Sequence, residues 1–552
     1  MKNMKELSVL IGGQAGDGIN QAAELLGRIL AGLGYRVYGL IDYPSLIRGG
    51  HNFAIVRGAE APIAAHRDAA DFVLALDQGT ADRHRGRLRD PAGLIHDPET
   101  VKVDGTGIPI QAILRDAGAP AIMRNSCLIG AFAGKAGVGW GAVEKVYAGE
   151  GGKDSALNLK LARRGYDAAS PGPPLAPLDA TPLPLVTGNE AIGLGLLAAG
   201  LDAYVSYPMT PTSNLLHFLA SAARQFDLKV VHPESEIAAI LMALGFAAAG
   251  ERSAVGTSGG GFCLMTEGMS LAGMAEIPVV IVLGQRPGPS TGLPTYTSQA
   301  DLNFALSAGQ GEFPRLVVAP GTPGEAYFWS AAALNLSWKY GIPAIVLVDK
   351  TLCEGTFSFD IESAGGAREE ETPLGAAAGY RRYLDTATGV SPLVFPPDPE
   401  AVVKVNSYEH DEAGLTTEAP ETVKKMQEKR LRKGASLVAD LAGFPAVTVG
   451  GDARGKTAVL CGGSNAGVCG EVASGMGLRA VSLSLLSPFP AEQLSAALAG
   501  VERIISVEHS ATGQFAALAA AHGFVPARRV LRYDGRPFSI EEMQRELEGA
   551  IR

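Results

Sequence analysis

Three segments of the chain begin in the same way: an apolar run, a loop of small residues, then a helix-period pattern. The first is LSVLIGGQAGDGINQAAELLGRILAGLG, followed by a second apolar run, RVYGLI. The second is DAYVSYPMTPTSNLLHFLASAA, and the third is TAVLCGGSNAGVCGEVASGMG with RAVSLSLL after it. Strands that alternate with helices, joined at glycines (70 in 552 residues), call for α/β architecture with largely parallel sheets. The Pro-rich stretch from Ser170 to Leu185 reads as a linker and places a boundary near residue 180. A second boundary falls in the charged region from Ser407 to Lys433, whose charge run predicts a solvated helix between domains.

Charge and cysteine usage remove several function classes. The 47 Lys+Arg and 57 Asp+Glu leave a net charge of -10 with no dense basic run, so nucleic-acid binding is not expected. The longest nearly uncharged helical stretch, Ile237 to Gly250, is too short for a bilayer and predicts a buried helix. With no signal-peptide core in MKNMKELSVLIGG, the expectation is a cytoplasmic protein without a membrane partner. The cysteines, Cys127, Cys263, Cys353, Cys461 and Cys469, are scattered and contain no C-x-x-C. They predict small core residues, not a disulfide framework, a zinc site or an iron–sulfur cluster held by this chain.

The loops carry the chemistry. Gly12-Gly13-Gln14-Ala15-Gly16-Asp17-Gly18 sits where a dinucleotide loop would, but Gln21 occupies the third glycine position, which disfavours an NAD site. Either a phosphate-friendly loop or a plain tight turn fits it. Pro44 to His51 puts Arg48 in a glycine-rich loop suited to a phosphate or to another subunit. In Tyr207-Pro208-Met209-Thr210-Pro211-Thr212-Ser213, a helix N-cap (Thr210 capping, Pro211 first in the helix) competes with an anion-facing turn in which Thr210 is a donor. Glu234 and Glu236 lie two apart and would not face each other on a helix, so an acid/base dyad is not expected. Glu234 reads as a first-turn acid favoured by the helix dipole. Glu236, at the edge of the apolar run, enters a dry pocket, an environment that raises a carboxyl pKa. Thr257-Ser258-Gly259-Gly260-Gly261 joins a strand to a helix, and Gln285 to Thr295 leaves the next strand as a long loop. Polar loops at four strand ends mark the usual ligand site of open α/β sheets.

The ordered set GNEAIGLG, YPMTPTS, ESEIAAI, TSGGGFCLMTEG and GQRPGPSTGLPT resembles the alpha subunits of 2-oxoacid:ferredoxin oxidoreductases. GGQAGDG with IRGG resembles the gamma domain that some of them carry fused in front, and SLLSPFP with VEHSATGQF a transketolase-C-terminal-like domain. The resemblance implies a gamma-type α/β domain over 1–175, a linker over 176–185 and a thiamine-diphosphate-type pyrimidine-binding domain over 186–415. A connecting helix or linker over 416–450 and a transketolase-C-terminal-like α/β domain over 451–552 complete it. It further implies Glu236 and Thr210 as catalytic, Thr210, Arg286 and Tyr296 as substrate-binding, and Glu236, Ser258 and Gly259 as cofactor-binding residues. Thiamine diphosphate would be shared with a beta subunit that holds the Mg2+ and [4Fe-4S] groups; this chain would hold no metal. Coenzyme A is the implied co-substrate, ferredoxin the acceptor, and a dimer of alpha–beta pairs the implied assembly.

Two departures stand out. Tyr296 occupies a place where Arg or Lys is expected, which argues for mono-carboxylate substrates over 2-oxoglutarate, and Gly309-Gln310-Gly311-Glu312 replaces Gly-His-Gly-Glu. The competing readings are a thiamine-dependent decarboxylase subunit without electron transfer, and a non-catalytic CoA-binding or scaffolding paralogue. An indolepyruvate-type enzyme does not fit, because the chain lacks a cysteine-rich cluster domain.

Overall fold

The computed structural model describes residues 6–45, 49–172, 174–366 and 370–552, so Arg48, singled out above, lies outside the described residues. Two compact units result. The first comprises Met1–Thr187, Glu354–Asp360 and Phe538–Glu546; the second comprises Gly188–Cys353, Ile361–Pro537 and Leu547–Arg552.

The first unit is built on an eight-stranded sheet with Glu6–Ala15 near its centre. That strand pairs in parallel with Phe72–Ala75 but antiparallel with Gly49–Ala59, which in turn pairs antiparallel with Arg36–Asp42. The two strands of the first sequence segment are therefore parallel to each other with a reversed strand inserted between them, and the sheet is mixed. That inserted strand also takes in His51, which the sequence reading had placed in a loop. The helix Ile19–Gly32 buries Ile19, Ala22, Leu25, Leu26, Ile29 and Leu30, the spacing of one helical face.

The second unit contains two sheets. A seven-stranded sheet runs, edge to edge, through Leu485–Ser487, Leu316–Val318, Pro343–Asp349, Val279–Gln285, Ser253–Ser258, Ala203–Val205 and Lys229–Val231. All pairings are parallel except that of Leu485–Ser487. Val279–Gln285 is buried at every position, as befits a central strand covered on both faces. A five-stranded sheet holds Val447–Gly451, Arg479–Leu483, Thr457–Gly462, Arg503–Glu508 and Arg528–Leu531, parallel but for the first.

The charge run of the connecting region does not stay in solvent. The helix Pro420–Leu441 buries Lys429 and Lys433, whose ammonium groups donate to Glu276 Oε1 and Oε2 at 2.7 and 2.6 Å. Glu276 ends the helix Gly259–Ala275 in the left-handed conformation, with φ 51°, and Arg382 donates to its carbonyl at 2.7 Å. The expected solvated helix is thus pinned to the core of the unit by a buried carboxylate.

Candidate active site

Four neighbouring strands of the seven-stranded sheet, Val279–Gln285, Ser253–Ser258, Ala203–Val205 and Lys229–Val231, run parallel in register. Their C-terminal ends consequently lie along one edge, and the loops singled out in the sequence converge there.

Glu236 is the first residue of the helix Glu236–Ala248, whose N-terminus is capped by Ser235 Oγ accepting from Ala238 N at 3.3 Å. The carboxylate is 4% exposed, and Oε1 is buried without a hydrogen-bond partner. A Cβ on Gly261 would lie 2.6 Å from that oxygen and 2.2 Å from Thr257 Oγ1, so the third glycine of TSGGG is what lets the Glu236 helix approach the turn. Glu234, expected in the first helical turn, lies outside the helix and is exposed; Glu236 holds that place instead.

Thr210 belongs to a turn, not to a cap. The helix begins at Ser213, and its N-cap residue is Thr212, whose hydroxyl turns inward to the carbonyls of Met209 (3.0 Å) and Thr257 (3.3 Å). The expectation of Thr210 as cap and Pro211 as first helical residue is therefore corrected. The Thr210–Pro211 bond is cis, and both carbonyls are held: Arg286 Nη1 donates to Thr210 O at 3.0 Å and Asn189 Nδ2 to Pro211 O at 2.9 Å. The Thr210 hydroxyl makes no hydrogen bond among the described residues. Asn189 lies in GNEAIGLG, yet only the fold brings it under Pro211.

Ser258 begins the turn into the helix Gly259–Ala275, and its Oγ is buried without a partner. A Cβ on Gly259 would meet Asp301 Oδ2 at 2.6 Å. Asp301 was not foreseen; it comes in from beyond the long loop, through its backbone N–H to Gln285 Oε1 at 3.1 Å. Burial pushes its carboxyl up to about 6, with Arg286 opposing, and burial lowers Arg286 in turn.

Tyr296 is half-buried in the same loop, and the Arg536 guanidinium lies 3.8 Å from its ring centroid. Tyr296 itself carries no positive charge, but its face is covered by one. The cation that position 296 lacks is therefore present beside it, on Arg536. No local sequence signal links residues 296 and 536.

The helix Glu236–Ala248 is buried on one side only. Ile237, Leu241 and Met242 are 50%, 47% and 43% exposed, and Leu264 of the adjoining helix is 48% exposed. The fully buried helix expected from its composition is in fact half of an open apolar face. A groove of about 650 Å³ continues it, lined among others by Ile237, Leu241, Leu264, Phe313, Gln310 and Arg430.

Comparison with known proteins decides what this arrangement belongs to. A family model described as pyruvate flavodoxin/ferredoxin oxidoreductase, thiamine diP-binding, matches residues 194–429, and one described as pyruvate ferredoxin/flavodoxin oxidoreductase matches residues 8–168. The 2-oxoacid:ferredoxin oxidoreductase subunit alpha of Saccharolobus solfataricus is 30% identical over 99% of this chain and 98% of its own length. The chain belongs to the 2-oxoacid:ferredoxin oxidoreductase alpha subunits. Over 36% of this chain and 54% of its own, the 2-oxoglutarate synthase subunit KorA of Archaeoglobus fulgidus is 38% identical. A solved 2-oxoglutarate:ferredoxin oxidoreductase from Magnetococcus marinus, with 2-oxoglutarate, coenzyme A and succinyl-CoA bound, superimposes with a TM-score of 0.90 at 26% identity, covering 100% of both chains. Among the described residues no group of three or more His, Cys, Asp or Glu could hold a metal ion, and no helix is long and apolar enough to cross a membrane.

Proposed function

We propose that this alpha subunit, joined to a beta subunit, oxidatively decarboxylates a 2-oxoacid with coenzyme A to an acyl-CoA and carbon dioxide, passing electrons singly to ferredoxin. The observation that carries the reading is the Glu236 carboxylate, buried at a helix start with Oε1 unpartnered beside Gly261. A buried carboxylate oxygen left without a donor is costly unless a ligand completes it. The ring nitrogen of an aminopyrimidine, which shares one proton with a carboxyl group set against it, is such a ligand, so the residues present fit thiamine diphosphate. When bound, that cofactor supplies a carbon nucleophile for the oxo group and a sink for the electron pair left by carbon dioxide.

The chain's own groups take the following parts. Glu236 holds and returns a proton at Oε1, the work of a general acid–base carboxyl. Ser258 Oγ and the Gly259 backbone line the cofactor side of the turn. Arg286 presents a guanidinium to the substrate carboxylate while fixing the Thr210 carbonyl, and Thr210 offers its hydroxyl beside it. Tyr296 and Arg536 meet the far end of the substrate, an aromatic face with a cation over it.

The beta subunit covers the apolar face of Ile237, Leu241, Met242 and Leu264. It brings the Mg2+ and diphosphate ligands and the [4Fe-4S] cluster, and two alpha–beta pairs form the working dimer. Domain limits of 1–175, 186–415 and 451–552, with a linker and a connecting helix, belong to the same reading. So does a reducing, cytoplasmic setting, which suits five cysteines with no disulfide among them.

The test is reconstitution. The chain co-purified with its beta partner should reduce a low-potential acceptor only when a 2-oxoacid and coenzyme A are both present. Carbon dioxide release without reduction would favour the plain decarboxylase, and reduction that ignores coenzyme A would remove the acyl-CoA product from the reading.

A further inference from the structure

Aspartate is favoured at helix N-caps because its carboxylate accepts an N–H from the following turn. Asp301 holds that place before Leu302–Ser307 and does not use it: its side chain makes no cap hydrogen bond. The carboxylate turns instead toward Gly259, where an added Cβ would lie 2.6 Å from Oδ2 and 2.9 Å from Oδ1. Oδ2 is buried and has no partner. It is the third such oxygen around the Gly259–Gly261 turn, after Glu236 Oε1 and Ser258 Oγ. Arg286 follows Gln285, whose side chain accepts the Asp301 N–H, and its guanidinium, with five donors, makes one hydrogen bond among the described residues, to Thr210 O.

We propose that Asp301 sets the affinity of the site for the 2-oxoacid carboxylate, by opposing in its anionic form the attraction that the Arg286 guanidinium exerts. This rests on the functional reading above, in which Arg286 receives that carboxylate. Asp301 and Arg286 act on one another through space without a direct ion pair. An anionic Asp301 both cancels part of the guanidinium field and repels a second carboxylate brought beside it; a neutral Asp301 does neither. The groups around it are Gln285 from the preceding strand, Arg286 after it, the Gly259 helix start, and Gln514, which donates to Ala300 O at 2.8 Å. Of these only Arg286 is charged, and Glu236 stands against Gly261, two residues further along the turn than the glycine Asp301 faces.

The sign follows from burial, which holds the carboxyl up at about 6. Below that pH Asp301 is neutral and oxoacid binding is tight; above it the anion forms and binding weakens. Asp301 is thus a positioning residue whose signature is a pH-dependent KM and not a lost kcat.

The experiment uses the alpha–beta complex, with KM and kcat for pyruvate between about pH 5.5 and 8.5, a window that brackets the carboxyl. The dissociation constant of oxamate, an unreactive 2-oxoacid mimic, is measured by calorimetry over the same range. For the wild type both KM and the oxamate constant should rise, on the order of tenfold for one charge opposing another at short range. In Asp301→Asn both should stay low and flat, with kcat little changed. Asp301→Ser serves as a second neutral variant should the amide disturb folding. A neutral variant that keeps the wild-type pH slope, or binds oxamate more weakly at every pH, overturns the proposal and leaves the functional reading intact. A wild-type complex that neither binds oxamate nor shows oxoacid-dependent reduction overturns both.

Discussion

Replacing Glu276 by Gln should destabilise the second unit while leaving every residue around Glu236 in place. Glu276 is 3% exposed and accepts from two ammonium groups, Lys429 at 2.7 Å and Lys433 at 2.6 Å, that are themselves buried. Removing the carboxylate leaves both cations without a counter-charge, which typically costs about 3–5 kcal/mol. At about 1–2 °C per kcal/mol for a unit of this size, the transition that melts it should fall by roughly 3–10 °C in calorimetry. The pH dependence sharpens the test. The two lysines hold Glu276 well below the ordinary carboxylate range, so its contribution is present at neutral pH and is lost only in strong acid. Lys433 is lowered by burial from 10.5 to about 8 even with Glu276 beside it. Between those values the unfolded chain binds more protons, so stability rises with pH through that window. Without Glu276 the lysines favour the neutral form still more, and the variant's deficit should shrink on going from pH 7 to about pH 10. Lys433→Met, by contrast, keeps Lys429 on Glu276 Oε1 but strips the donor from Oε2, and should cost less than Glu276→Gln, about 1–3 kcal/mol. A Glu276→Gln protein within about 1 kcal/mol of wild type at pH 7, or one whose deficit grows with pH, would refute the reasoning.

Three further outcomes are expected. Gly261→Ala forces a Cβ to within 2.6 Å of Glu236 Oε1, so turnover of the reconstituted complex should drop at least tenfold while circular dichroism stays unchanged. Arg536→Ala bares the Tyr296 ring, and kcat/KM for 2-oxoglutarate should fall by about tenfold relative to that for pyruvate, the difference between a charged and a neutral hydrogen-bond partner; equal losses for both substrates would remove this pair from the specificity account. The chain purified by itself should be colourless, and metal analysis finding stoichiometric iron in it would place a cluster here and not in the partner.

The architecture was legible because its signals are local. Glycine-jointed strand–helix units, the apolar run Val279–Leu283 and the TSGGG turn all announce their conformation within a few residues. The same locality explains the errors. Thr210 looks like a cap to its neighbours in sequence, but Thr212 turns its hydroxyl to Thr257 O, a strand away, and the helix starts after it. A charged run reads as solvated because Lys429 and Lys433 meet their carboxylate 153 and 157 residues earlier in the chain. Ile237, Leu241 and Met242 look like core by composition, and only the fold leaves them open. Asn189, Asp301 and Arg536 escaped notice for a related reason. Each is an ordinary polar residue until the sheet brings it beside Pro211, Gly259 or Tyr296.

The central claim is that the proton of the reaction is handled at Glu236, and turnover of Glu236→Gln in the assembled complex tests it most directly. The amide keeps the size and shape of the side chain but cannot hold or return a proton, so kcat should fall by about 100- to 10,000-fold. Glu234→Gln, at an exposed position outside the helix, should stay near wild type. A Glu236→Gln complex with near-normal turnover, beside a Glu234→Gln complex that has lost it, would contradict the account.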